Sequence, residues 1–267
     1  MRQHSSLARL LASAAVTAIL AVGLGGCQTM SDITGSITSK GDATPDTDPH
    51  RSTEVYGERY RANPKDADAA LAYGQALRAA GQRPQAVAML EQATIAHPGN
   101  KTLLAAYGRA MVDNGNFQQG FDTLSRAHTP DNPDWRILSV QGTALDQLGR
   151  HEEARRYYAS ALKIVPEEPS VLSNFGLSYV LSKDLPKAEE ILRRAYASTK
   201  ADARVRQNLG LVIGLQGRFA EAEGIVKADL PADEAAANVA YLKEMLSRKD
   251  GRRGARTVPI ATLNGSD

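Results

Sequence analysis

The chain has 267 residues with 32 Lys and Arg against 30 Asp and Glu, and Arg2 and Arg9 near its start account for the surplus. Without those two the charges balance, which argues against a nucleic-acid-binding body, whose affinity would come from a basic surface. The single cysteine cannot form an internal disulfide, so it is a buried spectator, a reactive thiol or a site of modification.

Residues 1–26 read as an export signal: a basic start with Arg2 and Arg9, then an uncharged run from Leu10 to Leu24. That run falls short of the roughly 20 apolar residues a membrane span needs, and Ala, Ser and Gly dilute it further. It ends in Leu24-Gly25-Gly26-Cys27, which resembles the lipobox of bacterial lipoproteins. The resemblance implies a diacylglycerol on the Cys27 thiol, cleavage of the preceding peptide bond, and an N-terminus anchored by acyl chains such as palmitate. In enteric lipoproteins an Asp after the cysteine signals inner-membrane retention. Gln28 stands there instead, so the expected location is the periplasmic face of the outer membrane. From Cys27 to position 50 the chain is mostly Ser, Thr, Gly, Asp and Pro, a flexible tether with an r.m.s. reach of about 25–30 Å.

Residues 51–247 carry a repeat. Gly74, Gly108, Gly142, Gly176 and Gly210 follow one another at intervals of 34, each inside an apolar helical pattern such as LAYGQAL or LSNFGLSY. A second glycine follows seven positions later at Gly81, Gly115, Gly149 and Gly217, where it can end a helix with positive φ. The fourth copy has Lys183 there. Small residues recur at Ala86, Gly120, Ala154, Ala188 and Ala222, and again at Ala93, Ala127, Ala161 and Ala195, with Asp229 breaking the last series. Small residues at fixed places let the two helices of a hairpin approach closely while bulky ones fill the seam. The pattern resembles the tetratricopeptide repeat, and the expected fold is all-α: a solenoid of five helix-turn-helix repeats. Tyr56, Tyr60 and Pro64 fall in the register of Leu90, Thr94 and Pro98, which predicts a half repeat before the first full copy. Ala235, Val239, Leu242 and Leu246 predict a capping helix over 232–247, because a solenoid needs its exposed end covered. The Gly210-to-Gly214 spacing belongs to helix packing, and Trp135 is expected to pack on the preceding helix.

Motifs for chemistry are missing. His151-Glu152-Glu153 begins like a metalloprotease helix, but Arg155 stands where the second His is required. The five histidines lie in different segments, and there is no nucleophile elbow, phosphate loop or dinucleotide fingerprint. No enzyme activity, cofactor or metal is therefore expected. Surface is the remaining resource. In tetratricopeptide repeats the first helices line a concave groove, and the family's inward positions fall here on Leu71, Gln75 and Arg78, then Ala105, Arg109, Val112 and Asp113, then Ser139, Thr143 and Asp146. Toward the C-terminus they become Ser173, Leu177, Val180 and Leu181, then Gln207, Leu211 and Leu215. The candidate protein-binding residues are Gln75, Arg78, Arg109 and Asp113 at the polar end, with Leu177, Leu181, Leu211 and Leu215 at the apolar end. The apolar end is either a partner seat or the floor of the capping helix. Leu71 and Gln75 replace the first pair of residues with which some cochaperones clamp a terminal carboxylate.

The stretches RVRQNLGLVIGLQGRFAEAE at 204–223 and DLPADEAAANVAYLKEML at 229–246 resemble the TadD-type lipoproteins of the tight-adherence (Flp) pilus system. The signal, lipobox and five-repeat layout agree with that family. What the resemblance implies is an assembly role in pilus secretion, including service as pilotin for the outer-membrane secretin. The partners expected are thus that secretin or other pilus components, and the membrane through the lipid; nucleic acid is not expected. An adaptor lipoprotein that recruits cell-wall enzymes or other envelope complexes is the alternative. Residues 248–267 are basic and poor in apolar side chains, a tail read as disordered and either solvated or in contact with anionic headgroups or cell-wall polymer.

Overall fold

The computed structural model describes residues 49–254. The export signal, Cys27, nearly all of the tether and positions 255–267 lie outside the described residues. Twelve helices occupy the described chain: α1 Pro49–Ala62, α2 Ala67–Ala79, α3 Arg83–Ala96, α4 Lys101–Asp113, α5 Phe117–Ala127, α6 Trp135–Gln147, α7 His151–Ile164, α8 Pro169–Leu181, α9 Leu185–Tyr196, α10 Ala203–Leu215, α11 Phe219–Val226 and α12 Ala232–Gly254. Among those residues there is no strand, only a lone antiparallel bridge between Thr129 and Asn132. The fold is the all-α tetratricopeptide-repeat solenoid that the repeat predicts, built from hairpins α2–α3 through α10–α11.

Short polar side chains start the first helix of most hairpins. Asp66 accepts from the backbone N–H of Asp68 and Ala69 at 2.9 and 3.1 Å, Asn100 from Leu103 at 3.1 Å, and Asp202 from Val205 at 3.0 Å. Each such bond satisfies a donor that the helix leaves open at its first turn. In the fourth copy Glu168 holds that register and makes no cap; Pro169 starts α8 instead, where its missing N–H costs nothing. First helices end in a repeated six-residue closure. In the first hairpin Gly81 N–H donates to Arg78 O at 3.0 Å and Gln82 N–H to Leu77 O at 2.9 Å.

The glycines inside the first helices face a bulky side chain sixteen positions on. A Cβ placed on Gly74 would lie 2.6 Å from Leu90 Cδ2, on Gly108 2.7 Å from Leu124 Cγ, and on Gly142 2.6 Å from Tyr158 Cε1. Gly176 meets Leu192 and Gly210 meets Val226 in the same way, each at 2.6 Å. Every hairpin therefore closes by seating one large residue on bare backbone, the close packing that interiors require. Second helices α3, α5, α7 and α9 pack between their own first helix and that of the next hairpin, and α11 packs between α10 and α12, while first helices also touch one another: α2 with α4, α4 with α6, α6 with α8, α8 with α10. First helices therefore make a continuous inner face.

At the N-terminal end α1 packs on α2, with Gly57 against Tyr73 and Tyr60 stacked on Tyr73 at 5.9 Å. At the other end Ala235 of α12 is buried, Val239 joins the cluster of Leu209, Val212, Ile213 and Ala222, and Leu242 covers Gly214. The helix continues past Ser247, the end that the sequence pattern predicts, into the basic stretch as far as Gly254. The Arg248–Glu244 ion pair, 2.6 Å at i,i+4, supports that extension. No helix among the described residues is long and apolar enough to cross a membrane.

Two hairpins are irregular. The second helices α3 and α7 run to Ala96 and Ile164, but α5 stops at Ala127 because Pro130 occupies the equivalent register. Proline cannot donate there and disfavours helical φ/ψ for Thr129 before it. The chain from His128 to Asp134 consequently leaves the helix and turns through the Thr129–Asn132 bridge. In the last hairpin α11 ends at Val226, which puts Asp229 beyond the helix, where it takes Arg206 in a two-pronged ion pair at 2.5 and 2.6 Å. The charge that breaks the alanine series at that position thus faces no helix seam.

Candidate functional site

The irregular loop after α5 shapes the inner face. Residues 128–134 stand beside the N-terminus of α6 and close one side of a cavity of about 520 Å³. Leu71, Gln75 and Arg78 of α2 form the opposite wall, and Lys101, Thr102, Ala105 and Arg109 of α4 the floor. Trp135, Arg136 and Ile137 complete it from α6. Gln75, Arg78 and Arg109, all inward in the sequence reading, converge here, and Arg136, His128 and Trp135 join them.

Charge in this cleft is unevenly paired. Arg78 donates through Nε to Asp113 Oδ2 at 2.7 Å and contacts it through Nη2 at 2.6 Å, with both side chains mostly covered. Burial pushes the Asp113 carboxyl up while Arg78 holds it down. Arg109, one turn back on α4, has no ion-pair partner among the described residues, and its buried Nε meets no acceptor. Burial first, then the neighbouring Arg78, pull the Arg109 guanidinium down to about 10, against the opposing attraction of Asp134. Arg136 lies over the Trp135 ring at 4.4 Å and also has a buried Nε without an acceptor. Asp134, the acid in the cleft wall, is engaged as the cap of α6, accepting from Arg136 N–H at 2.7 Å. His128 Nε2 shares a 3.2 Å hydrogen bond with Gln141, and its buried Nδ1 has no partner.

The middle of the inner face is closed. Ser139, Ser173 and Asp146, inward in the sequence reading, are buried in the seams between hairpins. Asn174 Nδ2 donates to Ser139 Oγ at 3.2 Å across the α6–α8 seam, and Asn208 Nδ2 donates to Ser173 Oγ at 2.8 Å across the α8–α10 seam. Asp146 accepts from Ser178 Oγ at 2.8 Å and Tyr158 OH at 3.0 Å, and pairs with His151 Nδ1 at 2.9 Å. Burial raises its carboxyl against those hydrogen bonds. These groups fasten repeats together because a buried polar atom must find a partner, and the family positions alone do not separate a seam from a groove.

At the C-terminal end Leu177, Leu211 and Leu215 are half-buried and Leu181 is 49% exposed. The capping helix packs on α10 and α11, with Leu242 on Gly214. A second cavity, about 430 Å³, lies on α3, α4 and α5 between Ile95, His97, Leu104, Tyr107 and Arg126. Among the described residues no three His, Cys, Asp or Glu side chains are placed to hold a metal.

Comparison with known proteins finds the same repeat and fold. The tetratricopeptide repeat family matches residues 71–134, 121–169 and 139–203. Among curated proteins, the BBSome complex member BBS4 of Bos taurus is 25% identical over 142 residues, covering 53% of this chain and 27% of that protein. The match thus spans about a quarter of that relative's length. Among solved structures, PilW, described as a widely conserved type IV pilus biogenesis factor, has a TM-score of 0.61 at 17% identity, covering 72% of this chain and 91% of PilW. The tetratricopeptide protein TTC0263 of Thermus thermophilus gives 0.59 at 22% identity, covering 66% and 98% respectively. The Cut9–Hcn1 hetero-tetramer of the APC/C gives 0.57 at 16%, covering 74% of this chain and 40% of that one. Identities this low establish shared architecture alone.

Proposed function

We propose that this chain, whose residues 71–203 belong to the tetratricopeptide-repeat family, is an anchored protein-binding scaffold that assists assembly of a tight-adherence (Flp) pilus secretion system. The observation that carries the scaffold reading is the open cleft of α2, α4 and α6, where the buried Nε atoms of Arg109 and Arg136 face a shared cavity without an acceptor among the described residues. The pilus assignment rests on the TadD-like sequence at 204–223 and 229–246 together with the lipobox at Cys27. PilW, a type IV pilus biogenesis factor, has the same architecture, which is compatible with the assignment and does not by itself support it. Within the assignment the specific role is pilotin for the outer-membrane secretin. The anchor is the acylated Cys27, and the location is the periplasmic face of the outer membrane.

Deleting the gene tests this reading. Secretin multimers in the outer membrane should fall and surface pili should disappear, both restored by the wild-type chain. Normal multimers together with normal pili would reject the assembly role and leave recruitment of cell-wall enzymes as the reading to pursue. Normal multimers with lost pili would reject the pilotin role alone.

A further inference from the structure

Resting on the reading of the inner face as a protein-binding groove, we propose that the cleft between α2, α4 and α6 binds an extended peptide segment of its partner through acidic side chains, with Arg109 and Arg136 as the carboxylate receptors and Lys101 at the rim. The argument begins with unmet hydrogen bonding. A guanidinium is a donor at every nitrogen and stays protonated in proteins, so a buried Nε–H without an acceptor costs free energy. Two such groups, on Arg109 and Arg136, border one cavity from neighbouring helices. Such groups are few in native proteins, and a pair in one opening marks a place for an incoming acceptor.

Charge specifies what completes it. Arg78, Lys101, Arg109 and Arg136 line the cleft against Asp134 alone among the acids. Asp134 is spent on the cap of α6, and Arg78 is already matched by Asp113. Two guanidiniums and an ammonium remain for an incoming anion. The guanidinium fork fits a carboxylate through two parallel hydrogen bonds, the stronger kind because both partners are charged. The low proton affinity of Arg109 reports the same deficit, since a carboxylate in the cleft would offset both its burial and its repulsion by Arg78.

Size and lining favour a peptide over a small anion or a nucleic acid. A cavity of about 520 Å³ is far larger than one carboxylate, and Leu71, Ala105, Ile137 and Trp135 give it apolar walls for the stem of a Glu and the backbone around it. A formal net charge of only +2 over 267 residues provides no basic field along which a phosphate backbone could run. Two guanidiniums and a rim ammonium have donors for more than one carboxylate, which acidic side chains along a segment supply.

The test uses the full chain in detergent and two fluorescent 12-residue peptides with amidated C-termini, alternating Glu-Gly and Gln-Gly. The Glu peptide should bind with an affinity that falls as salt rises, and the Gln peptide should bind at least tenfold more weakly. Arg109→Gln and Arg136→Gln should each weaken the Glu peptide about tenfold without changing helical circular dichroism. Lys101→Glu, at an exposed position that cannot disturb the core, should weaken it several-fold. Equal binding of the two peptides, or equal binding by wild type and Lys101→Glu, overturns the proposal. So does binding that requires a free C-terminal carboxylate, or preference for a 5′-phosphorylated oligonucleotide. These outcomes leave the assembly role standing, whereas normal secretin multimers and pili in the deletion strain would reject that role and leave the peptide result intact.

Discussion

Lys183 shows what the repeat demands of a residue. Four copies place glycine at this turn, with φ of +70° at Gly81, +88° at Gly115, +76° at Gly149 and +81° at Gly217. Lys183 takes φ of +65° and makes the same closure: its N–H donates to Val180 O and that of Asp184 to Tyr179 O, both at 2.9 Å. The lysine was legible in the sequence as a departure; that the turn survives it was not, because the hydrogen-bond pattern rather than the side chain defines the motif. An L-residue in this left-handed conformation costs roughly 1–2 kcal/mol, and Asp184 offsets part of that by capping α9 through Lys187 N–H at 3.2 Å. Lys183→Gly should therefore stabilise the protein by about 0.5–1 kcal/mol, the relief being reduced by the greater freedom of glycine when unfolded. Urea denaturation should show a higher midpoint at unchanged slope. A lower midpoint would mean that the lysine side chain contributes a contact larger than the strain.

Elements are held together by the step from each inner glycine to the side chain sixteen positions later, and Gly142 with Tyr158 is the most constrained instance. Tyr158 is fully buried, and its hydroxyl donates to Asp146 Oδ2 at 3.0 Å, so the ring cannot swing from a new methyl group 2.6 Å from Cε1. Gly142→Ala should lose about 1–3 kcal/mol, the usual cost of overpacking a filled core, and Tyr158→Leu in the same chain should recover part of it. Additive losses in the double variant, measured by thermal denaturation, would show that the two residues do not share the seam. At this scale the sequence was readable wherever the period held, in the hairpins α2–α3 through α10–α11. It was unreadable where tertiary geometry decides. Pro130 is visible as a helix breaker, but not the direction in which residues 128–134 leave, and that direction builds the cleft and brings Arg136, His128 and Trp135 to Arg78 and Arg109. Ser139, Ser173 and Asp146 misled in the opposite sense, since the positions that face a groove in one copy face a seam in the next.

For the whole molecule, a solenoid contributes only local contacts, so where it is held decides what it meets. Each hairpin touches its sequence neighbours, and nothing in such an array needs a membrane in order to fold. The proposed anchor at Cys27 would then act by concentration alone: a partner captured on a tether of short reach experiences about the millimolar range. Binding and anchoring separate cleanly under this view. Cys27→Ser should incorporate no radiolabelled palmitate and should leave the outer-membrane fraction. The same variant should melt like the wild-type chain and bind the Glu peptide with the same affinity. In a deletion strain it should nevertheless restore secretin multimers and pili poorly, and better when overexpressed, because mass action replaces what the lipid supplied. Equal palmitate labelling of variant and wild type would remove Cys27 as the lipid site. Full rescue at native expression by an unlabelled, unanchored chain would show instead that the scaffold works free in its compartment, with affinity rather than placement setting its output.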